Sequence, residues 1–148
     1  MLLGHVAVSM LLHRYLGADL APAMVGGMFP DLVDKTLCQV LHLTPSGRMY
    51  AHTLLGLGLS ATIVRAARGS RQACSWALGY GGHLVADLGG PVPWLYPFSE
   101  YDFALSPSLG EILRRALADP AEIGLELSLL LWALLAVSGC GAAQAKRR

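Results

Sequence analysis

The chain has 148 residues, 54% of them hydrophobic, and its 14% charged residues fall well below the roughly 25% of an ordinary soluble domain. That length fits one domain, and the hydrophobicity excludes disorder. A net charge of +1 and a pI of about 7.8 exclude a nucleic-acid-binding surface, and cysteines at 38, 74 and 140, without a C-x-x-C pair, exclude a disulfide framework or thiolate zinc site.

Apolar patterning predicts helices at 2–16, 20–42, 49–66, 72–89 and 121–139. The first run has no basic residue before it and contains His5, which argues against a signal peptide. The second has a candidate bend at Pro30. The third and fourth carry uncharged stretches at 49–64 and 72–86, short for a hydrocarbon layer of about 30 Å. Such helices tilt, thin the bilayer, or form a compact bundle only partly sunk in it. Small residues at Gly56/Ser60 and Ala77/Gly81 would let helix backbones approach closely.

Residues 91–120 break the pattern. Pro91, Pro93, Pro97 and Pro107 interrupt helix, and Trp94, Tyr96, Phe98, Tyr101 and Phe103 cluster, as in an interfacial cap with a short surface helix at 109–118. The segment 121–139 is the one ordinary transmembrane helix, with no charge from Leu127 to Ala145. The expected architecture is therefore all-α: one domain over 1–148, a compact integral-membrane bundle of about five helices. A soluble all-α bundle is the competing reading. Placing Arg65, Arg68 and Arg71 with Lys146, Arg147 and Arg148 in the cytoplasm sets a multi-pass topology with the N-terminus outside.

Against this background His5, Asp31, Asp34, His52, His83 and Asp87 stand out, because ionisable groups in apolar helices are costly. His83 and Asp87, four residues apart, share one helix face. They suit a divalent ion such as zinc, or simply satisfy each other by a hydrogen bond. Asp31 and Asp34 suit oxygen ligation, or capping after the break at Pro30. His5 and His52 are ligands or satisfied core histidines. Their joint level favours a shared site. With a rise of 1.5 Å per residue, His5 sits ~13 Å above Arg14, Asp31 ~18 Å above Asp19, His52 ~20 Å above Arg65 and His83 ~18 Å above Arg71. Asp34 and Asp87 lie ~4–6 Å farther out.

These residues sit in motifs with a recognisable order: an early His, then G-G-M-F-P-D-L-V-D, R-x-x-x-H-T-L, G-Y-x-x-H-L-x-x-D and P-W-L-Y-P-F-S. Over about residues 1–103 the chain resembles the YdjM-like family of inner-membrane-associated proteins, and the resemblance implies metal-dependent hydrolase activity. Asp31 and Asp34 match the family's P-D-x-D motif with one extra residue between the carboxylates. Arg48 and His52 match its H-R-G-x-T-H-S motif, in which Gly47, Ala51 and Thr53 replace the first His, the Thr and the Ser. His83 and Asp87 match its H-L-x-x-D motif outright.

Three histidines and three carboxylates leave room for one or two divalent ions, zinc first and manganese second. The expected ligands are His5, Asp31, His52, His83 and Asp87, with Asp34 a further ligand or the group that orients the attacking water. Arg48, one helical turn before His52, is either a clamp for a phosphate or carboxylate or an arginine reaching the interface. Trp94, Tyr96 and Phe98 line a lipid entry or belong to a surface belt. The expected function is hydrolysis of a lipid-like phosphoester near the outer leaflet. The expected partners are membrane lipid and a small-molecule or lipid-like substrate. An amidase or deacylase on a lipid-linked substrate and a non-catalytic binder of a divalent ion are the alternatives. Nearly all-apolar inner helix halves argue against a transport path.

Overall fold

The computed structural model describes residues 2–145 except 109, 112–113 and 115–117. Among them the chain is all-helical, with α1 (Leu2–Leu16), α2 (Leu20–Lys35), α3 (Leu54–Arg68), α4 (Ser70–Ala86) and α5 (Pro120–Ala145). Most of the surface helix expected at 109–118 lies outside the described residues, as do Lys146, Arg147 and Arg148.

Two helical hairpins build the bundle. Gly17, at φ +69°, lies in the turn between α1 and α2, and Gly69, at φ +88°, joins α3 to α4. Side chains rarely adopt this left-handed backbone, so glycine makes both turns possible. The hairpins meet through α2 and α4, which run parallel: the Asp19 amide donates to Ser75 Oγ at 2.8 Å, and two turns on the Gly27 carbonyl meets His83 Nδ1 at 2.7 Å. A Cβ at Gly79 would collide with the Ala23 carbonyl, so this helix pair depends on glycine for its close approach. The expected pair Gly56/Ser60 also faces α4, with Ser60 accepting from Trp76 Nε1 at 3.1 Å. Gly81 meets nothing within 4 Å, so Ala77/Gly81 does not mark a seam.

Two expected helices change at their ends. The second continues through Pro30 as α2 and widens into a π-helical turn at Thr36–Val40. Asp31 is thus inside a helix, and the capping position belongs to Asp19. The third begins at Leu54 rather than 49, capped by Thr53, whose side chain accepts from the Gly56 amide. Residues 49–53 are bends, because their amides bond elsewhere. Arg48 therefore does not stand a helical turn before His52; both lie on the loop between the hairpins.

The Pro-rich segment folds over that loop. The Leu54 amide donates to the Trp94 carbonyl at 2.9 Å, the Ser106 amide to the Pro45 carbonyl at 3.0 Å, and the Gly47 amide to Ser106 Oγ at 2.8 Å. The last helix runs parallel to α1: the Leu3 amide donates to Glu126 Oε2 at 3.2 Å and Arg14 Nε to the Ala136 carbonyl at 3.1 Å. Its Pro120–Gly139 portion is the one helix among the described residues long and apolar enough to cross a membrane.

Burial is inverted relative to a soluble bundle. His5, His52, His83, Asp31, Asp34 and Asp87 are buried, whereas Leu59, Ile63, Leu131 and Leu135 are exposed. The apolar interior is small, centred on Tyr80, Leu84 and Val92.

Candidate metal centre

Four chain segments bring their polar residues to one end of the bundle, opposite Arg65, Arg68 and Arg71 at the α3–α4 turn. His5 comes from α1, Asp31 and Asp34 from α2, Arg48 and His52 from the loop, and His83 from α4. Asp87 begins the 3-10 turn that follows α4 (Asp87–Gly89).

Asp34 explains the loop. Its carboxylate, 1% exposed, accepts from the amides of Met49 (2.8 Å), Tyr50 (3.2 Å), Ala51 (2.9 Å) and His52 (3.1 Å), and from His52 Nδ1 (2.8 Å). One buried anion thus organises four successive amides into a bend and satisfies its own charge. Tyr80 OH, donating to the Ala51 carbonyl, fixes the same stretch from α4. Both Asp34 oxygens are engaged by the loop amides and His52, and neither group of residues able to hold a metal includes it.

The histidine tautomers follow from their partners. His83 Nδ1 faces a carbonyl and His52 Nδ1 a carboxylate, both pure acceptors, so each Nδ1 carries a proton and, in the neutral ring, each Nε2 a lone pair. The two Nε2 atoms lie 3.2 Å apart. In this state neither donates to the other, and two lone pairs facing each other call for a cation. A proton competes for the same place: burial opposes charging of His52, yet the carboxylates of Asp31 and Asp34 outweigh it and raise its pKa above the ordinary value.

Two carboxylate oxygens complete the arrangement. His52 Nε2 lies 3.5 Å from Asp31 Oδ1 and 3.6 Å from Asp87 Oδ2, and His83 Nε2 lies 3.9 Å from each. With the 3.2 Å between the nitrogens, Asp31, His52 and His83 form one compact triad, while Asp31 and Asp87 fall in separate groups of ligand atoms lying within 4.8 Å of one another. Ligand bonds of about 2.0–2.2 Å to zinc give edges of about 3.3–3.6 Å, which the Asp31–His52–His83 triad approaches at 3.2, 3.5 and 3.9 Å.

His5 adds a third imidazole. Its ring stacks on His83 with centroids 3.9 Å apart, and its Nε2 lies 3.5 Å from Asp87 Oδ1. Its Nδ1 is buried without a hydrogen-bond partner. His5, His83 and Asp87 form one group able to hold a metal, and Asp31, His52 and His83 another. Both require the single free lone pair of His83, so they describe overlapping parts of one centre.

Two cations pair with the carboxylates, Arg48 on the same Asp87 oxygen that faces His52 and His83. Lys35 Nζ meets Asp31 Oδ2 at 2.5 Å, and an Arg48 guanidinium nitrogen meets Asp87 Oδ2 at 2.9 Å. Lys35 escaped the sequence reading, although its position four residues after Asp31 on a helix was a usable signal. Three carboxylates against two cations leave one excess negative charge with the imidazoles neutral, which a divalent ion turns positive.

Cavities flank the cluster on both sides. A cleft of about 450 Å³ along α2 is lined by Val25, Met28, Phe29 and Leu32, with His5 and Asp31 also on its wall. A second, of about 360 Å³, lies between Arg48, Pro91, Phe103 and Ser106. Lys35 and Gln39 line both. The expected lipid entry at Trp94, Tyr96 and Phe98 is not part of either: Trp94 packs against the Tyr80–Leu84–Val92 core, Tyr96 lies against Tyr50 and Phe103, and Phe98 projects outward.

Comparison with known families gives one match, over residues 1–145, to the family described as YdjM inner membrane protein. No curated protein and no solved structure matches the chain.

Proposed function

Because the chain belongs to the YdjM inner membrane protein family, we propose that its helices form a membrane-embedded bundle around a metal-dependent hydrolase centre, with zinc as the first candidate ion and phosphoesters as substrates. The observation that carries this reading is the pair of Nε2 atoms of His52 and His83, 3.2 Å apart and flanked by Asp31 and Asp87. The inverted burial supports embedding. Exposed leucines and isoleucine cover the outside, while the helices α1 to α4, at 15–17 residues, measure about 22–26 Å and sit shallowly in a layer of about 30 Å. The Arg65, Arg68 and Arg71 cluster, placed in the cytoplasm, directs the centre toward the outer face.

A divalent ion bound there supplies a Lewis acid and a water that ionises near neutral pH. The chain supplies the rest. Asp34 and the Gly27 carbonyl hold the two Nδ1 protons, which keeps both Nε2 atoms available. Lys35 and Arg48 pair with Asp31 and Asp87 and bring positive charge to where a phosphoryl group gains negative charge. Buried surroundings limit water, which strengthens these interactions.

The test is metal content followed by turnover. The purified full chain should carry about one zinc or manganese ion, lost in His83→Ala, and the loaded protein should hydrolyse members of a phosphoester panel. A chain that holds no divalent ion at micromolar concentration refutes the centre. One that binds it yet hydrolyses nothing leaves a non-catalytic binder.

A further inference from the structure

Lys35 and Arg48 hold their carboxylates in different ways, and only one of those ways leaves room for an ion. Lys35 Nζ takes Asp31 Oδ2, while the histidines face the other oxygen, Oδ1, at 3.5 and 3.9 Å. Arg48 takes Asp87 Oδ2 at 2.9 Å, the same oxygen that lies 3.6 Å from His52 Nε2 and 3.9 Å from His83 Nε2. The remaining oxygen, Oδ1, faces His5. The guanidinium and a divalent ion held by the two histidines therefore compete for one atom.

Charge decides the competition. One divalent ion together with Lys35 offsets Asp31, Asp34 and Asp87 in full, so Arg48 becomes a surplus positive charge among buried groups. A buried charge without compensation is costly, and an arginine with a second seat leaves it. That seat lies in the cavity of about 360 Å³ under the Pro-rich segment, which the Arg48 side chain, 36% exposed, already borders. Asp102 is the one carboxylate on the wall of that cavity, and it carries no ion pair among the described residues.

Gly90 admits the arginine to its first seat. A Cβ at this position would collide with the Arg48 guanidinium. The Gly90 backbone is extended, at φ −135° and ψ 174°, a conformation open to any residue. Glycine thus serves the side chain of Arg48 there and not the path of the backbone.

Resting on the metal-centre reading, we propose that Arg48 is a placeholder cation. It holds Asp87 Oδ2 until a divalent ion takes that oxygen, then swings to Asp102 and ties the Pro-rich segment to the filled centre. Arg48 is a positioning residue that opposes the ion, with Gly90 admitting it and Asp102 receiving it.

The zinc affinity of the full-length protein in detergent, measured by competition with a chelator, reads this by its sign. Arg48→Gln should tighten zinc about tenfold, the scale of a charged hydrogen bond. Gly90→Ala, which displaces the guanidinium but keeps its charge, should shift the affinity in the same direction, whereas Gly89→Ala, whose Cβ meets nothing, should leave it unchanged. Asp102→Asn should weaken zinc about two- to fivefold, the worth of an exposed ion pair. That effect should vanish in the Arg48→Gln background, because the two residues then no longer couple. Gly90→Ala retains Arg48 and every candidate ligand, so it decides the sign if Arg48→Gln misfolds. Weaker or unchanged zinc binding in Arg48→Gln and Gly90→Ala overturns the proposal, since an arginine that only supports Asp87 lowers affinity when it is lost or displaced. An Asp102→Asn effect that persists without Arg48 overturns the second seat. A parent chain that holds no zinc overturns the metal-centre reading and this proposal with it; zinc held by the parent and weakened in the variants overturns this proposal alone.

Discussion

The substitution Asp34→Asn removes one charge and changes almost no volume, so it isolates what that carboxylate does. The two oxygens accept from four backbone amides and from His52 Nδ1. An asparagine offers one acceptor oxygen, and its NH2 then confronts groups that also donate. Two bonds survive as neutral ones, each weaker by about 1 kcal/mol, and two donors stay buried unpaired at about 1–3 kcal/mol each. The expected loss is about 4–8 kcal/mol, a large part of the roughly 5–15 kcal/mol that holds a domain together. A second effect falls on the ion. Facing an NH2, His52 Nδ1 becomes the acceptor, its proton moves to Nε2, and the ligand lone pair is lost. Zinc affinity should fall by about 10–100-fold, as for other partners that orient a metal-binding histidine. Chelator competition measures the affinity and thermal melting the stability, both on the full chain in detergent. A variant with parental zinc affinity and melting temperature would refute both the role given to Asp34 and the tautomer assignment of His52.

Other outcomes follow from the same geometry. His83→Ala should abolish zinc binding in a chelator titration, since both ligand groups need its Nε2, whereas His5→Ala should weaken it less because the Asp31–His52–His83 group remains. Gly79→Ala should destabilise the bundle by about 1–3 kcal/mol by forcing α2 from α4, while Gly81→Ala, which meets nothing, should be neutral or stabilising in the same melting assay. Zinc affinity should fall as pH drops, because the proton competing at His52 is held more tightly than on an ordinary histidine. A pH-independent affinity across the range from 5 to about 8 would contradict that competition.

The ligands were legible because spacing on helices translates directly into depth. His5, Asp31 and His83 lie in helices at the expected places, and the structure brings their ligand atoms together with those of His52 and Asp87. His52 arrives by another route, since its backbone is pulled out of helix by Asp34. Nothing in the spacing of Asp31 and Asp34 says which would face a ligand and which a row of amides. That choice depends on where a loop from another hairpin comes to rest. The seam between α2 and α4 was missed for a similar reason. Small residues abound in the chain, and only the register of the two helices selects Gly79 over Gly81.

The α2–α4 contact also constrains how the molecule comes into being. The candidate ligands are divided between the two hairpins and the loop that joins them, so neither hairpin alone supplies a complete group of three. During synthesis the centre cannot close until Asp87 has emerged and the second hairpin has docked, long after His5 was made. An ion captured then acts as a noncovalent clip across the first half of the chain. Part of its stabilising effect comes from the freedom it removes from the unfolded ensemble, as with any cross-link that closes a long loop. On the proposed reading, metal loading would therefore also record that helix assembly was completed in the right register.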